Sequence, residues 1–155
     1  NGPLLLDLFE RTCGQRPGLA TQVQRLAVAA GFESEDGGVG PELETGETLD
    51  VLYFARLKSD PDNVTLDAYV SGRRTAPTVS CTLTAKGVEA RELIPAVEAA
   101  EHVASPKTET SNDGAQTRLT WPLSAEGSGQ WLELTFRPAK QGRASLNLTY
   151  VAGGR

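Results

Sequence analysis

The chain has 155 residues, of which 39% are hydrophobic and 23% charged, with a net charge of −5; this is the size and balance of one globular domain spanning residues 1–155, and it excludes a wholly disordered chain. Arg73-Arg74 is the nearest approach to a basic patch, so neither nucleic acid nor an anionic membrane surface is an expected partner. No apolar run reaches the ~20 residues of a membrane helix, so no membrane insertion is expected.

The chain contains no Met and does not begin with one. Residue 1 is therefore read as the product of a removed leader or tag, or of a trimmed terminus; Asn1-Gly2 has the form of a cloning scar. Pro3 suits a first helical turn, where its missing N–H costs nothing. Leu5, Leu6, Phe9 and Cys13 then recur at three- and four-residue spacing and predict one helix. Gly14 stops it, and residues 15–18 turn the chain. Leu19, Val23, Leu26, Ala27 and Ala30 form the stripe of a second helix, closed by Gly31 as a left-handed cap with Phe32 as its hydrophobic partner. The two make a helical hairpin. Residues 33–48 are acidic and glycine-rich and read as a solvated connection with room for a short strand.

The period then changes to two. Leu49 to Arg56 is apolar on both faces, which predicts a strand covered on both sides. Ser59-Asp60-Pro61-Asp62-Asn63 is a turn. Val64–Val70 and Thr78–Thr84 are further strands, the latter alternating Val79, Cys81 and Leu83 with Ser80, Thr82 and Thr84. Residues 90–104 are helical in composition, with Pro95 imposing a kink or opening a second piece. Residues 105–115 read as loop. Strands at 118–123, 131–137 and 145–151 follow, joined by the glycine-bearing turns Glu126-Gly127-Ser128-Gly129 and Lys140-Gln141-Gly142. The expected fold is α+β: an antiparallel sheet of five to six strands, with the helical hairpin and one further helix packed on one face.

Cys13 and Cys81 are too far apart in sequence for a CxxC motif, and with His102 they supply too few ligands for a metal site. Each lies on a core-facing stripe. They are read as a disulfide in an exported protein, the other reading being two buried free thiols. Phe9-x-x-x-Cys13, Ala29-Ala30-Gly31-Phe32 and the Ser80-Cys81 strand resemble small exported proteins of unknown function from alphaproteobacteria. That resemblance covers the N-terminal third and the Cys81 strand. It implies a periplasmic or secreted location and supplies no catalytic residue. Abundant Ala, Gly, Arg and Glu with little Lys points the same way, toward a GC-rich bacterial genome.

The search for chemistry is largely negative. His102 beside Glu101 sits where a helix end favours it; paired with Cys81 or a Ser it would make a hydrolase or thiol enzyme. Glu89, Glu92, Glu98 and Glu101 have the spacing of a wet helix face. Asp60 to Asn63 resembles the start of a calcium loop, but Thr65 and Ser71 stand where that loop needs Gly and Glu. Asn63-Val64-Thr65 and Asn147-Leu148-Thr149 have the form of glycosylation acceptors and are read as chance in a bacterial chain. Trp121 and Trp131 fall on neighbouring strands, as core packing or, with Arg73 and Arg74, as a binding surface. The expectation is a non-enzymatic, cofactor-free periplasmic module that binds a protein or small ligand. The alternatives are the His102 enzyme and a structural component of an envelope assembly.

Overall fold

The computed structural model describes residues 2–13, 20–35, 48–73, 76–86, 90–99, 108–112, 116–122, 130–140 and 143–152. They form three helices, α1 (Gly2–Thr12), α2 (Ala20–Ala29) and α3 (Ala90–Glu98), and eight strands. The strands are β1 (Phe32–Ser34), β2 (Thr48–Leu57), β3 (Val64–Arg73), β4 (Ala76–Lys86), β5 (Thr108–Asn112), β6 (Gln116–Pro122), β7 (Gln130–Lys140) and β8 (Arg143–Ala152). The fold is α+β, and every strand pair is antiparallel.

The strand order is β1-β2-β3-β4-β8-β7-β6-β5. Two meanders, β1–β4 and β5–β8, thus meet where β4 pairs with β8. The chain passes from β4 through α3 to the far edge of the sheet and then winds back to its centre. All six strands read from alternation are present. β1 and β5 are the additions to the expected five or six, and both lie at sheet edges. β5 is Thr-Glu-Thr-Ser-Asn, a polar segment with no apolar face to announce it; pairing with β6 holds it in the sheet. The long β7 strand shifts register between Arg137 and Lys140, at Pro138, which has no N–H to give to a ladder.

Alternation along the strands selects one face for the core. Val51, Tyr53 and Ala55 on β2, Leu66 and Ala68 on β3, Cys81 and Leu83 on β4, Leu119 and Trp121 on β6, and Leu132 and Leu134 on β7 are buried together. Leu5, Leu6, Leu8, Phe9, Val23, Ala27, Leu93 and Val97 from the three helices complete the same cluster. These helix positions recur at three and four residues, as one buried stripe requires. The connection between α1 and α2, residues 14–19, lies outside the described residues. α3 continues through Pro95 as one helix. Pro95 has no amide to give to the Arg91 carbonyl, while the Ala99 amide bonds the Pro95 carbonyl at 3.0 Å.

Local chemistry fixes the ends of these elements. Gly31 follows α2 at φ 97°, the cap expected from sequence, and Phe32 beside it is buried. A Cβ at Gly31 meets nothing closer than Leu57 Cδ1 at 3.9 Å, so a substitution there is opposed by backbone conformation rather than by space. Gly31→Ala is expected to cost about 1–2 kcal/mol, read as a lower midpoint in urea unfolding at unchanged slope. Tyr53 is fully buried, and a buried phenol needs a partner; the Ser34 hydroxyl, on β1, lies 2.8 Å from its oxygen. The turn between β2 and β3 is tied by Val64 N–H to Asp60 O at 3.1 Å. In the same turn the Asn63 amide donates to the Asp60 carboxylate at 2.8 Å. That side-chain bond braces the turn and uses the carboxylate that the sequence offered to a cation.

Candidate functional site

Cys13 immediately follows α1, and its amide donates to the Phe9 carbonyl at 2.7 Å. The preceding Thr12 is the one polar residue buried among the described residues. Its hydroxyl turns back on its own helix, 2.9 Å from Leu8 O and 3.1 Å from Phe9 O, which satisfies it without a tertiary partner. The helix end therefore enters the core and carries the Cys13 sulfur to Cys81 at the middle of the sheet. The two sulfurs are bonded at 2.09 Å, with Cα atoms 5.6 Å apart. Cys81 has no exposed surface and no free cysteine remains, so the thiol-enzyme reading of Cys81 has no thiol in this structure. His102 lies outside the described residues.

The tryptophans separate. Trp121 pairs with Leu132 in the register row that also holds Cys81, and it is 1% exposed. It is core, the packing alternative of the sequence reading. Trp131 pairs with Pro122 and Val151, one register row away and hence on the opposite parity. Arg73 ends β3 and is exposed; Arg74 lies outside the described residues. The four residues offered as a binding surface are therefore not brought together as one.

What the structure does present is the second face of the sheet, which no described helix covers. Here β2 departs from expectation. Its apolar residues on both faces predict a strand covered twice, yet Leu52 is 57% exposed. Opposite it in the ladder stands Tyr69, 38% exposed. The same row runs on through Ser80, Val151, Trp131 and Pro122, so five of its six positions are occupied by Leu, Tyr, Val, Trp or Pro. The neighbouring rows are chiefly short hydroxyl residues. Thr82 and Thr149 form one central pair, and Thr65 and Thr84 form another. Thr and Ser give strands a polar surface without long side chains.

Charged residues also stand on this face, among them Glu33, Arg56, Asp67, Arg73, Lys86, Arg118 and Glu133. Arg56 sits at one side, its guanidinium 5.5 Å from the centroid of the Phe54 ring, a cation–π distance. It is also bonded to the Glu35 carboxylate, and that hydrogen bond, followed by the charge itself, raises the Arg56 pKa further. Arg118 and Glu133 lie on β6 and β7. Asp67 is half-buried between Phe54 and Thr82 in the ladder.

Burial raises the Asp67 pKa above its ordinary value of 3.8. The folded chain therefore holds this proton more tightly than the unfolded chain does. Through this group, stability is gained as pH falls from the raised value toward 3.8 and lost as pH rises through the same window. Asp67→Asn is expected to remove that dependence and to stabilise the fold at neutral pH. The check is the difference in melting temperature between wild type and variant across pH. It should shrink on acidification, and a pH-independent difference would contradict the assignment.

Neither the open face nor its Leu52–Tyr69 pair was read as a site from sequence. The available signal was the alternation itself, since Leu52 and Tyr69 fall opposite the residues that pack inward. No described helix is long and apolar enough to cross a membrane. Comparison of the chain with protein-family models, with curated proteins and with solved structures finds no match.

Proposed function

We propose that this chain is a non-catalytic binding module of an oxidising, extracytoplasmic compartment, and that it binds a protein through the open face of its sheet. The observation that carries the reading is the exposed cross-strand pair Leu52–Tyr69 on the face opposite the helices. A cross-strand pair of large apolar side chains adds to sheet stability, but one left open to water marks a contact surface when its surroundings are flat and polar. The buried disulfide supports the compartment, because such bridges persist where thiols are not kept reduced. The test is retention from periplasmic extract on immobilised protein, wild type against Leu52→Arg/Tyr69→Asp. A protein held by the wild type and lost from the folded double variant supports the reading. Equal retention by both overturns it, and so does retention of nothing by a chain that also sediments as a monomer.

A further inference from the structure

We infer that the partner seated on the open face is a second copy of this chain, the two sheets packing face to face; the inference rests on the proposed binding role of that face. The first support is size. β2, β3, β4, β8 and β7 are neighbours in the sheet and each has ten or eleven residues. At ordinary strand spacing and rise they present a face of about 24 Å by about 33 Å. That is roughly 800 Å², which is what each partner contributes to a standard-size interface.

The second support is shape. Along β4, the middle of these five strands, the outward positions Thr78, Ser80, Thr82 and Thr84 are all short side chains. Two such surfaces reach the separation of about 10 Å at which sheets stack. Arg56 and Arg118, which are long, stand on β2 and β6, toward the two sides.

Charge is the third. The chain carries −5, so two copies repel wherever their acidic surfaces meet. On this face the charged side chains among the described residues are Arg56, Arg73, Lys86 and Arg118 against Glu33, Asp67 and Glu133, a sum of +1 that carries none of the chain's acidic excess. It is thus a face on which one copy meets another without that repulsion. A strongly charged partner finds no complementary field there. Two-fold pairing also makes one patch serve both sides of the contact, so that the Leu52–Tyr69 pair of each copy is covered by the same event.

The experiment is sedimentation velocity with light scattering on the intact, oxidised chain over the micromolar range. The wild type is expected at twice the 16.5 kDa chain mass. Leu52→Arg/Tyr69→Asp is expected at the single-chain mass. Thr78→Arg, an exposed position on the same face, should shift the equilibrium the same way and serves if the double variant fails to fold. Val28→Lys, on the exposed side of α2, should leave the dimer intact. A wild type that stays monomeric at every concentration overturns self-association. So does a dimer that survives both face substitutions. The two claims fail separately: a monomer that still retains a foreign protein in a face-dependent way overturns the second copy as partner and leaves the binding role standing.

Discussion

Replacing Cys13 or Cys81 with Ala is expected to cost about 4 kcal/mol under oxidising conditions. The bridge closes a loop across 68 residues of sequence separation, and the chain-entropy relation gives that magnitude for a loop of this length. For a domain of this size each kcal/mol corresponds to about 2–4 °C in melting temperature, so the midpoint should fall by roughly 10 °C or more. The two single variants should lose similar amounts, because each breaks the same link. In reductant the wild type should descend to meet them. Losses that differ between the variants and persist in reductant would assign the effect to packing around the sulfurs instead.

Burial adds a kinetic expectation. Cys13 is 2% exposed and Cys81 is not exposed at all, while thiol–disulfide exchange needs an attacking thiolate in contact with a sulfur. Native protein should therefore be reduced only as fast as α1 lifts from the sheet. Intact mass after alkylation checks the starting state: denatured, unreduced protein should take no alkyl group. Uptake of two groups would remove both the bridge and the main argument for an oxidising compartment.

The bridge was legible because both cysteines lie on apolar stripes of known period, one helical and one extended, and such stripes meet in a core. The long strands and the Gly31 cap were legible for the same local reasons. β5 was not, and β1 only as room for a short strand within 33–48, since a short edge strand is defined by its neighbour's ladder and needs no apolar pattern of its own. The open face was hidden by Leu52 and Phe54, which make β2 read as covered on both sides; only the position of the three helices shows which side is left open. The tryptophans fail more instructively. Trp121 and Trp131 flank one hairpin connection, and the turn sets which residues stand opposite each other. With Trp121 opposite Leu132, Trp131 falls one position away and changes face. Sequence supplied both aromatics but not that single-residue register.

That register also sets the second large effect. Trp121→Ala is expected to cost about 3–5 kcal/mol, the range for deleting a buried Trp or Phe side chain. Trp121 stands among the largest fully buried side chains and packs with Leu119, Leu132 and Leu134 in the main cluster. Trp121→Phe should cost much less than Trp121→Ala, for two reasons that act together. Phe retains an aromatic ring in the site and so leaves a smaller void. It also removes an indole N–H that has no acceptor among the described residues, and a buried donor left unpaired costs about 1–3 kcal/mol. Equilibrium unfolding in denaturant, with unchanged slopes, separates the two variants. Neither substitution touches the open face, so a Trp121→Phe protein should sediment like the wild type. If Trp121→Ala changed stability by less than about 1 kcal/mol, far below the core-deletion range, Trp121 would not be core. The facing assignment of β6 and β7 would then be reversed, placing Trp131 rather than Trp121 under the helices.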